Sequence, residues 1–394
     1  MLLFALTIFA SAFLLFLVQP IIAKQILPWF GGSAAVWTTC LVFFQTALLA
    51  GYAYSDALVR HVGRGNRARV HVALLAASVL VLPIIPAAAW KPLGTEDPVA
   101  LILGLLAVTI GLPYFLLATT SPLLQAWFAE RYPERNPYRL FALSNLASLA
   151  ALVAYPFAIE PWAPTRAQAL AWSVAYAVFA LLCAAIAWRS GRKSGVEPAS
   201  GAMKAGVAGE APSWRASMLW LALAATGSIL LLTVTSHITQ NIAAVPLLWI
   251  VPLTLYLLTF ILCFDSSRWY PRDVLLAAAA AALGVMAWCV ADPRLTHELM
   301  LQVGVFCVGL FIACMFCHGE LARQKPAPRY LTRFYLMVAL GGRSARCSWE
   351  LSHRLRCRRT SSCRSGWSPP RRCSCSRCAG RPTSSVRWRS PRWR

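Results

Sequence analysis

The sequence predicts an all-α protein: a polytopic bundle of transmembrane helices, about ten complete and an eleventh cut short, with a transporter-like two-half architecture. Three observations predict it. Hydrophobic residues make up 58% of the 394 positions and charged ones 13%, against roughly 25% charged in soluble domains. Apolar runs close to the ~20 residues that cross a bilayer as a helix recur along the chain. Basic residues crowd into every second connection between those runs, the pattern of a chain threaded back and forth through a membrane. Period-two alternation is almost absent, so strands are not expected.

Taken in order, the apolar runs cover 2–22, 34–56, 70–90, 98–120, 139–158, 167–188, 216–236, 245–264, 273–291, 299–317 and 332–342. The first follows Met1 with no basic n-region and no small-residue cleavage site, so it is expected to be retained as a helix. The even-numbered connections carry 18 Lys and Arg, including Arg60, Arg67, Arg131, Arg139, Arg268, Arg272 and Arg323. The odd-numbered ones carry Lys24, Lys91, Arg166 and Arg294. Positive loops stay in the cytoplasm. The expected location is therefore the bacterial inner (cell) membrane, multi-pass, with a cytoplasmic N-terminus. The link 189–215, rich in Gly, Ser, Ala and charge, reads as a cytoplasmic linker. It separates a first membrane half, 1–188, from a second, incomplete half, 216–342. Two echoes fit internal repeats. Arg139-Leu140-Phe141 resembles Arg333-Phe334-Tyr335, and Gln19 before Pro28 resembles Gln240 before Pro246.

Residues 343–394 are different text. They hold 15 Arg and one Glu, which is +14 of the net +23. With so little apolar content this stretch is expected to be a disordered Arg/Ser/Cys-rich tail. The change at Gly341-Gly342 falls in the middle of an apolar run, so the tail is read as out of frame from a GC-rich gene. The alternative is an Arg-rich arm for nucleic acid or lipid headgroups. On the frame reading no nucleic-acid partner is expected.

Polar residues gather in three places. At the outer ends of the helices lie Gln19, Lys24, Glu160, His237, Gln240 and Asn241, and Lys24 and Glu160 are placed to pair across an outer mouth. Against that stands a Lys that snorkels to the headgroups. Within the membrane, Phe141, Asn145, Ser148 and Tyr155 share one helix face, Thr38, Gln45 and Tyr52 recur every seven residues, and Thr226, Thr233, His237 and Gln240 share another face. Such faces either line a cavity or join helices by hydrogen bonds. At the cytoplasmic ends, Ser121, Pro122 and Gln125 stand in one half where His318 and Glu320 stand in the other. These either gate or dock a partner, or simply cap helix ends.

Several chemistries are not expected. Cys314-Met315-Phe316-Cys317-His318 matches a haem-attachment pattern, but it lies at the inner end of an apolar helix. Cys373, Cys375 and Cys378 have zinc-like spacing with no fold around them. There is no Gly-rich phosphate or dinucleotide loop. No catalytic residue, metal site or cofactor is therefore expected.

Together the motifs resemble the membrane part of bacterial fused major-facilitator/spermidine-synthase-like proteins. The matching pieces are Gln19-Pro20 with Lys24, Val36-Trp37, Gly51-Tyr52, Ser121-Pro122-Leu123-Leu124-Gln125, Tyr155-Pro156, Glu160-Pro161 and Cys317-His318-Gly319-Glu320-Leu321. The resemblance covers residues 1–342. It implies an integral membrane module that lacks the catalytic domain in this chain, is not itself an enzyme, and works with a cytoplasmic synthase-like domain. Its partners are the lipid bilayer and an unidentified small solute. The alternatives are a stand-alone secondary transporter or permease, or a non-functional truncation product. A permease for a cation would put carboxylates near the helix centres, and the apolar runs hold none there.

Overall fold

The computed structural model describes residues 1–31, 34–92, 97–191, 211–241, 249–292 and 299–360. The chain forms two compact units, 1–350 and 351–394. The first holds the helix bundle; in the second, residues 351–360 are helical.

Among the described residues there are eleven long helices and no strand. They are α1 (Leu2–Phe30), α2 (Ala34–His61), α3 (Arg64–Val79), α4 (Pro98–Arg131), α5 (Tyr138–Ile159), α6 (Thr165–Gly191), α7 (Trp214–Asn241), α8 (Ile250–Asp265), α9 (Arg272–Ala291), α10 (Leu299–Arg323) and α11 (Leu331–Thr360). Eight of them, α1, α2, α4 to α7, α9 and α10, are long and apolar enough to cross a membrane. Large side chains such as Val174, Val178 and Leu181 of α6 and Trp288 and Val290 of α9 stand exposed, as a surface bathed in lipid allows.

Prolines set much of the local geometry. A proline lacks the N–H that would close the helical bond four residues back. Beside Pro113 and at Pro156 the helices widen into π turns, Ala107–Gly111 in α4 and Tyr155–Ile159 in α5. In the second, the Glu160 N–H reaches the Tyr155 carbonyl at 2.8 Å. The apolar run 70–90 is not one helix: α3 ends at Val79, and a non-helical stretch with Pro83 and Pro86 leads to a 3-10 turn, Ala88–Trp90. α1 keeps Pro20 and Pro28 inside it and stops at Gly31. Gly31 has φ 78°, a left-handed conformation that costs glycine little.

The packing follows two groups of helices. One large core cluster, from Phe4 to Ala187, is built entirely from residues up to α6. A second joins Tyr138 and Ala142 of α5 to Trp220, Phe260, Phe264, Phe334 and Tyr335 of α7, α8 and α11. A third ties α7, α9 and α10 together through Val234, Met286 and Leu310. α5 is thus one of the helices through which the first group meets the second. The two echo positions meet there: the rings of Phe141 and Tyr335 stack with centroids 4.7 Å apart and planes 17° apart.

α11 extends into the Arg-rich stretch. It does not stop at Gly342 but continues to Thr360. Residues 343–360 contain neither Gly nor Pro, and Arg, Leu, Ala and Ser all tolerate a helix. The helix thus covers 343–360, where the sequence alone predicts a disordered tail, and 361–394 lie outside the described residues. Gly341 fits α11 against α7. A Cβ there would lie 2.5 Å from the Leu221 carbonyl oxygen and 3.0 Å from Ala224 Cβ, so only glycine admits this approach.

Candidate functional site: a polar path between two helix groups

The basic-loop end of the bundle is held by hydrogen bonds between the two groups. The Thr332 hydroxyl at the start of α11 donates to Asp56 Oδ1 of α2 at 2.8 Å. The other Asp56 oxygen takes Arg60 one turn on, at 2.9 Å. Three residues into α11 from Thr332, the Tyr335 hydroxyl donates to Gln125 Oε1 of α4 at 2.7 Å. The Gln125 amide donates to Ser121 Oγ at 2.9 Å, and Ser121 reaches Ser144 of α5 at 3.3 Å. The Tyr138 hydroxyl donates to the Pro326 carbonyl at 2.6 Å, and Arg139 pairs with Asp265 at 3.3 Å. Gln125 and Tyr335 are fully buried, so their bond is shielded from water and costly to leave unmade.

The sequence-predicted cytoplasmic residues divide. Ser121 and Gln125 belong to this clamp, and Pro122 is buried beside them. His318 and Glu320 do not join it. The His318 ring is buried, takes Thr259 at 2.8 Å through Nδ1, and stacks on Phe260. Glu320 turns to the α8–α9 connection, where it accepts from the Tyr270 hydroxyl at 2.8 Å and from Arg272 at 2.7 Å. Burial, and then the Glu320 carboxylate, push the Tyr270 hydroxyl above its ordinary range. Burial lowers the nearby Lys325 ammonium, whose charge lies 5.4 Å over the Tyr138 ring.

At the opposite end, Lys24 of α1 forms an ion pair with Glu160, just past α5. Lys91 lies over the Trp29 ring at 5.6 Å. Deeper, the Gln19 amide approaches the Tyr114 hydroxyl of α4 at 3.5 Å and its own Leu15 carbonyl at 3.4 Å. Tyr52 of α2 is half-buried and packs against the core cluster that holds Tyr335. Gln19 with Tyr114 toward one end and Gln125 with Tyr335 toward the other thus set neutral amides and hydroxyls along the bundle, with Tyr52 against the cluster of Tyr335. His237 stands against the Phe306 ring at 4.2 Å. The side chains of Gln240 and Asn241 lie outside the described residues.

Several predicted intramembrane residues turn back on their own helices. Asn145 donates to the Phe141 carbonyl at 2.9 Å, Ser148 to that of Ser144 at 3.0 Å, and Thr233 to that of Ile229 at 2.7 Å. They therefore do not join helices through these bonds. Gln45 is half-buried, and Tyr155 is buried with its hydroxyl unpartnered. Among the described residues no group of three or more His, Cys, Asp or Glu is placed to hold a metal ion.

The sequence reading missed Asp56 and Arg343. Asp56 carried a signal, a lone carboxylate four residues before Arg60. Arg343 donates to Thr46 of α2 at 2.5 Å. It lies eleven residues along α11 from Thr332, as Thr46 lies ten residues along α2 from Asp56, so the two helices run antiparallel here.

No protein-family model and no curated protein matches the chain. Among solved structures, it is similar to the crystal structure of a bacterial homologue of the iron transporter ferroportin in an outward-facing state. The TM-score is 0.60 at 13% identity, over 90% of this chain and 91% of that one. At that identity the likeness shows a shared fold.

Proposed function

We propose that the chain is a secondary transporter for a small solute, working by alternating exposure of the path between its two helix groups. The basic-loop end and the N-terminus face the cytoplasm of a bacterial cell, across its inner membrane. The observation that carries this reading is the clamp. Asp56–Thr332, Gln125–Tyr335, Tyr138–Pro326 and Arg139–Asp265 join the groups at one end by bonds that a modest rearrangement can break and remake. The fold shared with a transporter crystallised facing outward supports it. The neutral path, with carboxylates such as Asp56, Glu160 and Asp265 near helix ends, supports a solute without net charge.

The test uses a chain with its cysteines replaced and a single cysteine introduced at Ser144, behind the clamp. Combining Tyr335→Phe with Asp56→Asn should speed its labelling from the basic-loop side by about tenfold, as a shifted two-state equilibrium would. Unchanged labelling in a folded variant would refute the alternating reading. For orientation, a cysteine at position 64 should be protected from an impermeant thiol reagent in intact cells.

The motif resemblance of residues 1–342 favours a second reading, a membrane module that works with a cytoplasmic synthase-like domain. Translating the other two frames from codon 342 checks it. A restored apolar helix followed by an α/β domain would support it, and stop codons in both would remove it.

A further inference from the structure

Two buried polar groups at the end opposite the basic loops have no protein partner. Tyr155 is 7% exposed, and its hydroxyl meets no donor or acceptor. The amide nitrogen of Gln25 is buried and equally unpartnered. Unpartnered buried polar groups are rare in folded proteins and ask for an explanation. Both flank the Lys24–Glu160 ion pair. Gln25 follows Lys24 on α1, and Tyr155 precedes Glu160 by a single turn, its carbonyl accepting the Glu160 N–H at 2.8 Å. The side chains of the pair remain 40% and 37% exposed, so a solute can reach them. The π turn Tyr155–Ile159 separates Tyr155 from Glu160 by one wide turn. Such turns often mark functional positions within helices.

We propose that Lys24, Gln25, Tyr155 and Glu160 form a docking site for a small zwitterion carrying one ammonium and one carboxylate group. The proposal rests on the transporter reading above and names its solute class. The charge balance argues for it. A net cation meets Lys24, a net anion meets Glu160, and each repels its like. A zwitterion satisfies both by exchanging one ion pair for two. Its carboxylate takes Lys24 and the Gln25 amide N–H, and its ammonium takes Glu160 and the lone pair of the Tyr155 hydroxyl. Gln19 lies five residues further along α1, roughly 7.5 Å at the helical rise, and there the neutral path begins. A net-neutral solute can pass into that path without leaving a charge unpaired.

The test measures thermal stabilisation of the purified full chain in detergent. The probes are the L-amino acids and γ-aminobutyrate as zwitterions, putrescine as a dication, succinate as a dianion, and phosphoethanolamine as a soluble lipid headgroup. At least one amino acid should stabilise in a saturable way. Its methyl ester and N-acetyl derivatives should bind about tenfold more weakly, because each leaves one charge of the site unpaired. Tyr155→Phe should lose about tenfold in affinity, because the solute's ammonium then lacks one acceptor, while leaving the chain at least as stable, since it removes an unsatisfied hydroxyl. Glu160→Gln should lose binding. A merely structural Tyr155 would leave affinity unchanged.

Binding of putrescine or succinate alone would overturn the zwitterion class and leave the transporter standing. Binding of phosphoethanolamine alone would reassign the site to lipid headgroups. Amino-acid binding unaffected by both Tyr155→Phe and Glu160→Gln would place the solute elsewhere. If no probe binds, the labelling at position 144 separates the cases. A response there keeps the transporter without this site, and no response removes both.

Discussion

The two ends of the bundle use similar chemistry for different connections. At the basic-loop end, Asp56, Gln125, Tyr138 and Arg139 of the first six helices hold Thr332, Tyr335, Pro326 and Asp265 of the second group. At the opposite end, Lys24 and Glu160 pair within the first group. The first arrangement resists separation of the groups; the second stiffens one group and leaves its polar side chains half-exposed. Under the proposed transport cycle, a bond's position between the two helix groups, more than its strength, decides whether it can act as a gate.

The largest effect should come from Asp56→Ala. That carboxylate holds Thr332 and Arg60 together, and its side chain is only 10% exposed. Hydrogen bonds to a charged group contribute roughly 1.5–3 kcal/mol, so a loss of about 2 kcal/mol in the purified chain is expected by denaturation. Cysteine labelling behind the clamp should rise with it. A variant that unfolds more easily but labels no faster would mean that Asp56 stabilises α2 alone. Gln125→Leu comes next. It fills the same space but strands the Tyr335 hydroxyl, at a cost of roughly 1–3 kcal/mol. Tyr335→Phe added to it should recover part of that loss, since both partners are then apolar. No recovery would show that the hydroxyl has another partner.

The sequence made the bundle legible because apolar length and loop charge are direct consequences of a bilayer. All eleven apolar runs correspond to helices, apart from the end of the third, where Pro83 and Pro86 break the helix, and the start of the eighth, where 242–248 lie outside the described residues. The clamp was half legible. Gln125 stood out as an amide in an apolar run, but its partner Tyr335 sits 210 residues away, and one sequence carries no record of such pairings. Asn145, Ser148 and Thr233 looked equally suited to joining helices. Their short side chains instead reach the carbonyl one turn back on the same helix, a choice that depends on rotamer rather than spacing. Arg343 was hidden by its neighbours, because the Arg-rich text after Gly342 read as foreign to a helix.

The smallest expected effect sharpens the comparison most. Lys24–Glu160 and Arg139–Asp265 are both exposed ion pairs, with side chains 40% and 37% exposed in the first and 69% and 46% in the second. Water screens both, and each should show a coupling of about 0.5 kcal/mol or less in a double-mutant cycle on stability. By that measure the two ends are alike. They should part when the readout is labelling at position 144. Arg139–Asp265 spans the two groups, so Arg139→Gln should speed labelling from the basic-loop side, and high salt should erase the difference from wild type. Lys24→Gln acts within one group and should leave that rate where it was. If both substitutions speed labelling equally, the ends communicate through the body of the first six helices, and the contrast between a gate and a brace fails.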